Sequence, residues 1–483
     1  MSDTPAKVTV IGAGLVGTLN TIYFAQRGWD VSLYDSRQDM RLPEEKDKLR
    51  GKSINLSLSE RGLSALRATG LGLEKAIVDA AVPMCGRMIH TGKEGKQVSQ
   101  PYSVHGNYTN SVDRARLNAL LLDVAEKMPN VSIQFEHHLT SCDMDAGILE
   151  FRNTGFQNSL VKHQTDLLVG ADGAHSTVRS QMMRKIRMDY HQDYIDTVYC
   201  ELVMPAIKGK TNQPEPALDP THLHIWPRHT FMLIALPNPD YSFTCTLFMP
   251  LTMFQEINTE ENLMEFFGEH FNDTIPLFGE KHLKTDFFAN PRGSLISIKT
   301  SSYNYEDKVV IMGDAAHAMV PFYGQGMNCG FQDVEELHRI LDSHVDRPIK
   351  INGIVPGMKT ALDCYSETRV KDAHAMCDLA TYNYVEMRSH VVSRSYVLRK
   401  RIEGFIHLFF PRLLIPLFTM VSFSTLPYSA VVKRWQRQDY WLNVAIGSFL
   451  MGGGMAATMF SLQYHNYAKP LMEATLNMLS QSH

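Results

Sequence analysis

The sequence predicts an α/β protein with a doubly wound parallel sheet, a second domain built on an antiparallel sheet, and a helical C-terminal region. A short β-branched run, Lys7–Ile11, meets a glycine-rich turn, which is followed by a helical stretch and a second strand-like run. This order of strand, turn, helix and strand begins a doubly wound sheet. Between residues 190 and 250, short runs rich in Thr, Phe, Ile and Val alternate with Pro and Asn, as is typical of antiparallel strands. From Asp333 onward the apolar spacing is mostly helical.

The composition is that of a folded protein with more than one domain. The chain has 483 residues, of which 44% are hydrophobic and 20% charged, and its formal net charge is -4. The length favours two globular domains and an appendage, and the small charge without a basic stripe argues against a nucleic-acid partner. The seven cysteines are scattered without a CxxC pair, which favours reduced thiols in a compartment that faces the cytosol. No long apolar stretch precedes Val8, so we expect no cleaved secretory signal.

Three glycines after the first strand have the spacing of a dinucleotide-binding turn. Gly12 permits the tight turn, Gly14 lets the backbone approach a pyrophosphate, and Gly17 lets the following helix pack closely on the sheet. The N-terminus of that helix offers unpaired N–H groups to the anion. Asp35 ends the second strand, where its carboxylate can accept the ribose hydroxyls. The turn predicts a Rossmann-like domain, but it does not distinguish FAD from NAD.

Two later segments favour FAD over NAD. In each, a buried strand ends in an acid beside a glycine and then turns into a helix, first at Asp172 and again at Asp314. An acid at the position of Asp314 can accept a ribityl hydroxyl. The glycines after it let N–H groups at a helix start face the pyrimidine edge of a flavin, where they can stabilise negative charge on the reduced ring.

These three segments, in this order and spacing, resemble the flavoprotein hydroxylases of the para-hydroxybenzoate hydroxylase type over about residues 7–340. The resemblance implies that NADPH reduces bound FAD and that the reduced flavin uses O₂ to hydroxylate an aromatic ring. It also implies that the segment containing Asp172 takes part in binding both FAD and NADPH. Because the chain has one glycine fingerprint, we expect NADPH to bind transiently at the surface. The implied FAD contacts are Val16, Asp35, Arg37, Ser57, Arg114, Leu139, Asp314, Met327 and Asn328.

Further stretches are similar to the branch of this family that hydroxylates L-kynurenine beside its aromatic amine. These stretches are residues 52–62, 87–90, 223–228, 243–250, 313–330 and 382–388. The similarity implies that Arg87 and Tyr102 hold the α-carboxylate of the substrate. The chemistry agrees, because a guanidinium and a phenol both donate hydrogen bonds to a carboxylate.

The same similarity implies further contacts at the substrate. Asn383, Glu386 and Met387 are expected near it, and Gln325 is expected over the flavin, where it positions ring or substrate. Phe418 stands where the branch often has a tyrosine. No donor is available there, so we expect binding to depend more on Arg87 and Tyr102.

Simpler interpretations of some of these residues stay open. Arg87 can also be read as a surface salt-bridge arginine, and Tyr102 as a half-buried packing residue. His317 follows an acid but favours a structural role at a helix start. The sequence contains no cluster with metal-ligand spacing, so we expect no metal.

The predicted domain boundaries follow from these segments. An FAD-binding domain comprises residues 1–185 and 290–345, and a β-sheet substrate domain comprises 186–289. A helical C-terminal region covers 346–438, and a membrane anchor and tail cover 439–483.

An uncharged segment near the end predicts a single transmembrane helix. Residues 441–462 carry no charge, and this length suffices to cross the hydrocarbon layer. Lys433, Arg434 and Arg437 precede the segment, so the positive-inside rule leaves the catalytic domain in the cytosol. The family resemblance implies the mitochondrial outer membrane, with a single-pass tail anchor. A buried or interfacial helix stays open, because Gly452–Gly454 weakens the apolar signal.

Two other functions remain compatible with the sequence. One is a membrane-associated flavin epoxidase or reductase that acts on a lipid, which requires an apolar pocket without a carboxylate clamp. The other is a non-enzymatic flavin-binding module that senses redox state.

Overall fold

The computed structural model describes residues 5–45, 55–91, 96–209, 212–388 and 394–463, without the side chains of 394–397, 446 and 449–463. The chain forms two compact units, Met1–Ser429 and Ala430–His483. The first unit contains all the sheets of the described residues.

The strands of the first unit are short, apart from one of 15 residues. Their bounds are β1 Lys7–Ile11, β2 Asp30–Tyr34, β3 Asn55–Leu58, β4 Val82–Met84, β5 Gly86–Thr91, β6 Lys96–Pro101, β7 Thr109–Asp113, β8 Val131–Gln134, β9 His137–Asp143, β10 Ile148–Asn153, β11 Ser159–Gln164, β12 Leu167–Gly170, β13 Tyr190–Met204, β14 Ile207–Lys208, β15 Pro214–Glu215, β16 His222–Arg228, β17 Phe231–Pro237, β18 Phe243–Pro250, β19 Gly293–Thr300, β20 Asn304–Tyr305 and β21 Val309–Ile311.

Helices connect the strands and dominate the last third of the chain. Their bounds are α1 Leu15–Gln26, α2 Glu60–Ala68, α3 Leu73–Val78, α4 Arg114–Glu126, α5 Thr177–Met182, α6 Leu251–Glu256, α7 Glu260–His270, α8 Ile275–Phe278, α9 Glu280–Ala289, α10 Asp314–His317, α11 Gly326–His344, α12 Met358–Arg388, α13 Arg394–Phe409, α14 Leu417–Ser422 and α15 Tyr428–Gln463, with a 3₁₀ turn at Pro321–Tyr323.

The predicted doubly wound sheet is confirmed. Six strands lie in the order β20-β21-β12-β1-β2-β8, and all are parallel except the edge strand β20. The strands β1, β12 and β21 are almost wholly buried, as expected for parallel strands covered on both faces. Helix α1 packs against α4 and α11. The carboxyl ends of the central strands meet at one edge, which is where open α/β sheets bind ligands.

A seven-stranded sheet forms the second layer, in the order β19-β13-β18-β17-β16-β5-β6. It is antiparallel except for the parallel pair β5 and β16. Side chains alternate between its faces. One face, with Cys200, Leu233 and Leu247, packs on helices α6 to α9 in a continuous apolar core. The other face turns toward the six-stranded sheet and carries part of the functional site.

The seven-stranded sheet draws on more of the chain than the predicted substrate domain, 186–289. Strands β5, β6 and β19 belong to it, although they lie within the segments predicted for the FAD-binding domain. Pairing between strands far apart in sequence has no local signal, so these boundaries could not be found from composition or turns.

The second unit is mainly the continuation of helix α15, which covers the predicted span 441–462. Within the described part of the chain, we find no helix that is both long and apolar enough to traverse a bilayer. Most side chains of the predicted span, 446 and 449–462, lie outside the described residues, so the predicted anchor stays a prediction.

Candidate functional site

A cavity of about 590 Å³ lies between the two sheets of the first unit. Its lower wall comes from the carboxyl ends of β1, β2 and β12 and from the turn before α11, and its upper wall comes from the seven-stranded sheet. Most of the residues predicted for FAD and substrate line it. These lining residues are Gly12, Gly14, Val16, Asp35, Arg37, Ser57, Arg87, Tyr102, Arg114, Leu139, Asp172, Asp314, Met327, Met387 and Phe418.

The glycine turn has the geometry that a pyrophosphate requires. Gly12 adopts a φ of +103°, and an added Cβ there would lie 2.4 Å from the carbonyl oxygen of Ala171. A Cβ on Gly17 would lie 1.9 Å from the carbonyl oxygen of Gly12, which explains why the helix can approach so closely only with glycine. A Cβ on Gly14 would meet no atom within 4 Å. Gly17 therefore serves packing and lies outside the lining, whereas Gly14 faces the cavity.

Asp35 is placed to accept ribose hydroxyls. Its carboxylate takes hydrogen bonds from the Ala13 N–H at 2.8 Å, and from the backbone and guanidinium of Arg37 at 2.8 to 3.0 Å. Burial pushes the pKa of Asp35 up, but these bonds and the charge of Arg37 outweigh it and lower the pKa. The carboxylate is thus ionised at neutral pH and serves as an acceptor.

Two further acids reach the cavity from strand ends. Asp172 accepts hydrogen bonds from the Thr177 and Val178 N–H groups at 2.7 and 3.2 Å, while its second oxygen, Oδ1, is buried with no hydrogen-bond partner among the described residues. Asp314 lines the cavity at the start of α10. Burial by the surrounding protein raises the pKa of both acids, and the charge of Arg114 opposes the rise at Asp314.

Asn328 supports the cofactor end from behind the lining. Its side chain accepts from the Ser59 N–H at 2.9 Å and donates to the carbonyl oxygens of Ser57 and Gly324, each at 2.8 Å. Asn328 is fully buried, so it orients Ser57 and the turn before α11. Met327 and Leu139 complete the apolar part of the same wall.

These residues fit FAD. The open space at Gly14 admits the pyrophosphate, Asp35 provides an acceptor for the ribose hydroxyls, and Asp314 is a strand-end acid for the ribityl chain.

The other end of the cavity combines aromatic rings with one guanidinium. Phe418 stacks on Tyr102 with ring centroids 4.6 Å apart, and it lies nearly parallel to Tyr323 at 6.0 Å. The guanidinium carbon of Arg87 lies 5.2 Å from the centre of the Phe418 ring. Burial raises the pKa of the Tyr102 phenol although the charge of Arg87 opposes the rise, so the phenol stays protonated and can donate. A carboxylate and an aromatic ring can both be bound here.

Residues around this end hold Arg87 and the aromatic wall in place. A carboxylate oxygen of Glu386 lies 3.7 Å from Arg87 Nη1, with both side chains mostly buried. Asn383 donates to the carbonyl oxygen of Phe322 at 2.6 Å. Glu386 and Asn383 lie outside the lining, whereas Phe322 and Met387 belong to it. Their predicted contact with substrate stays a prediction, and the observed contacts are with residues that form the wall.

Gln325 is also buried behind the lining. It precedes α11, and its side-chain oxygen accepts a hydrogen bond from the Tyr428 hydroxyl at 3.1 Å. Gln325 therefore does not line the cavity, and its predicted position over the flavin stays a prediction.

A buried ionic network beneath the site was not predicted as a unit. Asp333 accepts from the Gly313 N–H at 2.9 Å, from His317 Nε2 at 2.6 Å and from Arg369 Nε and Nη2 at 3.0 and 2.7 Å. Ligand atoms of His317, Cys329 and Asp333 lie within 4.8 Å of one another. Both oxygens of Asp333 are already engaged, and Arg369 supplies the positive charge, so this cluster does not fit a metal ion. Its contacts join α10, α11 and α12, and the structural role predicted for His317 stays a prediction.

The comparisons with known proteins agree with this geometry. Residues 5–380 match the model of the FAD binding domain family. A kynurenine 3-monooxygenase of Drosophila willistoni is 42% identical over 95% of this chain and 96% of its own. One of Sus scrofa is 43% identical over 92% of this chain and 89% of its own.

Solved structures with the same fold are more distant. The 2-methyl-3-hydroxypyridine-5-carboxylic acid oxygenase is 19% identical with a TM-score of 0.60, covering 82% of this chain and 95% of its own. The p-nitrophenol 4-monooxygenase of Pseudomonas putida is 17% identical with a TM-score of 0.62, covering 84% and 94%. These likenesses concern the fold. With the family model spanning most of the sequence and relatives above 40% identity over nine tenths of it, the chain belongs to the kynurenine 3-monooxygenase family of FAD-dependent hydroxylases.

Proposed function

We propose that the protein hydroxylates L-kynurenine beside its aromatic amine, giving 3-hydroxy-L-kynurenine, with FAD bound and with NADPH and O₂ as co-substrates. The observation that carries the proposal is one cavity that joins the FAD-fitting residues to Arg87, Tyr102 and Phe418. Relatives named kynurenine 3-monooxygenase, about 42% identical over most of the chain, support the choice of substrate.

The residues at the substrate end have separate tasks. Arg87 and Tyr102 bind the α-carboxylate, and Glu386 limits the motion of Arg87. Phe418, Phe322 and Met387 contact the aromatic part and exclude water from it. Bound FAD supplies the redox chemistry, and the protein supplies the position of the ring and a dry cavity.

The direct test is NADPH consumption by the FAD-loaded protein, with and without L-kynurenine. We expect the rate to rise when L-kynurenine is added and the product to carry one additional oxygen atom by mass spectrometry. NADPH oxidation that ignores L-kynurenine and yields only peroxide would instead support a redox-sensing module. Turnover of a lipid in its place would support the epoxidase or reductase alternative.

Arg87 offers the sharpest variant. A hydrogen bond to a charged group contributes about 1.5–3 kcal/mol, so Arg87→Met should raise KM for L-kynurenine roughly 10- to 100-fold. FAD should remain bound, because Arg87 lies at the opposite end of the cavity from Asp35. Arg67→Met is a matched control, since Arg67 pairs with Glu60 and Glu74 on the surface. Loss of the flavin absorbance in the Arg87 variant would move Arg87 out of the substrate site.

We further propose that residues 441–462 anchor the chain in the mitochondrial outer membrane, with the first unit facing the cytosol. The uncharged length and the preceding Lys433, Arg434 and Arg437 support this. We expect the full chain to resist alkaline carbonate extraction from mitochondria, and protease added outside intact mitochondria to digest the first unit. A chain that is released by carbonate would contradict the anchor without affecting the proposed reaction.

A further inference from the structure

Glu201 is a buried acid on the cavity side of the seven-stranded sheet. On β13, Val198, Cys200 and Leu202 pack into the apolar core behind the sheet, so Glu201 points to the opposite face. Its partner in register on β18 is Thr246, which lines the cavity. The side chain of Glu201 therefore lies next to the cavity wall although only 7% of the residue is exposed.

The carboxyl group of Glu201 lacks hydrogen bonds that a buried acid normally has. Its Oε2 atom is buried without a hydrogen-bond partner among the described residues, and so is the Thr246 hydroxyl beside it. The nearby bond from Asn290 goes to the main-chain oxygen of Glu201, not to its carboxyl. A buried carboxylate without hydrogen bonds costs free energy unless a positive charge lies near it.

Arg114 provides that charge. It begins α4, lines the cavity, and lowers the pKa of Glu201. The other ionisable groups affected by Glu201 are Tyr199 and Cys200 on its own strand. Arg114 also acts on Asp314, the strand-end acid at the FAD side. The charge of one guanidinium thus acts on a carboxyl of the substrate sheet and on a carboxyl at the cofactor end.

We infer that Glu201 is a positioning residue that acts on the flavin through Arg114. Ionised Glu201 draws the guanidinium toward the sheet and neutralises it. Protonated Glu201 leaves the full positive charge to the cofactor side, where it stabilises the negatively charged reduced flavin. The inference rests on the proposed function only in requiring that FAD occupies this cavity.

The carboxyl group of Glu201 gains and loses its proton near neutral pH. Burial raises the pKa of Glu201 to about 7, with Arg114 opposing the rise. The charge state of Glu201 therefore changes within the range in which flavin enzymes are measured. Nothing in the proposed reaction requires Glu201 to touch the flavin or the substrate.

The test is the midpoint potential of the flavin in the FAD-loaded full chain, titrated spectroelectrochemically at pH 6 and at pH 8.5. At pH 6, wild type and Glu201→Gln should coincide, because Glu201 is protonated in the wild type. At pH 8.5, the variant should have the more positive potential. We expect roughly a tenfold shift of the reduction equilibrium, or about 30 mV for a two-electron couple.

Three comparisons complete the design. Glu335→Gln is the matched control, because burial raises the pKa of Glu335 too. The Glu335 carboxylate accepts a hydrogen bond from Ser64 and lies outside the cavity lining. The flavin potentials of the Glu335→Gln variant should therefore follow the wild type. Glu201→Asp keeps the charge and should keep the wild-type pH dependence. In an Arg114→Gln background that is saturated with FAD, Glu201→Gln should change the midpoint potential at pH 8.5 by less than it does in the wild type. We call this change in midpoint potential the gap.

The outcomes are separable. A gap of equal size at both pH values, or no gap, would overturn the inference while leaving the proposed function intact. A full gap in the Arg114→Gln background would overturn the claim that Glu201 acts through Arg114. A chain that takes up no FAD would overturn both this inference and the proposed function.

Discussion

At the residue scale, three nearly parallel rings and one guanidinium form the substrate end of the cavity. The Phe418 ring lies nearly parallel to the rings of Tyr102 and Tyr323, and the guanidinium of Arg87 lies over it. Arginine above an aromatic ring is attracted by the ring's quadrupole, which keeps the guanidinium in place without satisfying its hydrogen bonds to a ligand. The stack therefore presents Arg87 and the Tyr102 hydroxyl together.

Phe418→Tyr tests this arrangement. The ring should keep its stacking, and the added hydroxyl should donate to the carboxylate of the substrate. We expect KM for L-kynurenine to fall about fivefold, the effect of roughly 1 kcal/mol from one additional hydrogen bond. Phe418→Leu, which removes the stack, should raise KM. Steady-state kinetics of both variants decide the matter, and a higher KM in Phe418→Tyr would contradict the placement of the ring.

At the element scale, the turn from β1 to α1 separates a folding role from a binding role. Gly14 has a φ of −79°, which alanine also adopts, and an added methyl would meet no protein atom within 4 Å. Gly14→Ala should thus change the free energy of unfolding by less than about 1 kcal/mol and yet weaken FAD binding more than tenfold, because the methyl occupies the approach of the pyrophosphate.

Gly17→Ala should behave in the opposite way. Its methyl would collide with the backbone oxygen of Gly12, so we expect a loss of about 3 kcal/mol in the unfolding free energy of the apoprotein. Denaturant unfolding without FAD, and FAD titration by flavin fluorescence, measure the two effects. Equal destabilisation by both substitutions would contradict the division of roles.

The network around Asp333 joins α10 and α11 to α12. Burial favours the protonated acid, but the charges of His317 and Arg369 outweigh it and hold the pKa of Asp333 below its usual value. Asp333→Asn removes the carboxylate that His317 and Arg369 share and leaves Arg369 with Asp372 as its acidic partner, which should cost about 3–5 kcal/mol of stability. Glu336→Gln, on an exposed pair of the same helix, should cost less than about 1 kcal/mol in the same urea titration. Similar losses in both variants would contradict a structural role for the network.

Elements with strong local signals could be predicted from the sequence. Most contacts between these elements could not, because they depend on how the elements pack. The spacing of Gly12, Gly14 and Gly17 identified the cofactor end, because each glycine answers a local steric demand. Family resemblance predicted that Arg87 and Phe418 lie near the substrate; both line the cavity, and their contact with substrate stays a prediction. Glu201 was missed because a single acid in an alternating strand has no signal until its face and its neighbour Thr246 are known. Gln325 and Asn383 lie behind the wall, which only side-chain directions reveal.

At the scale of the whole molecule, burying Glu201 makes stability depend on pH. The pKa of Glu201 rises from its ordinary value of 4.5 to about 7 on folding. Folding therefore favours the protonated acid, and this contribution is present below pH 4.5 and is lost as the pH rises through 7. Relative to the wild type, Glu201→Gln should gain about 3 kcal/mol between these limits. Urea unfolding of the apoproteins at pH 4.5 and pH 8 measures the gain, and a difference independent of pH would contradict it.

Both sheets are needed to form the functional site, because neither sheet lines the whole cavity. The six-stranded sheet supplies the cofactor end, and the seven-stranded sheet, with strands from three distant parts of the chain, supplies Arg87 and the wall opposite. The central claim is that FAD and L-kynurenine occupy this one cavity together.

The most direct measurement of that claim is the visible absorption spectrum of the FAD-loaded protein during titration with L-kynurenine in the absence of NADPH. We expect a saturable perturbation of the flavin bands in the wild type. In Arg87→Met, the perturbation should require roughly 10- to 100-fold more ligand while the flavin stays bound. A flavin spectrum that does not respond to L-kynurenine, in a protein that still turns it over, would show that the two ligands do not share the cavity.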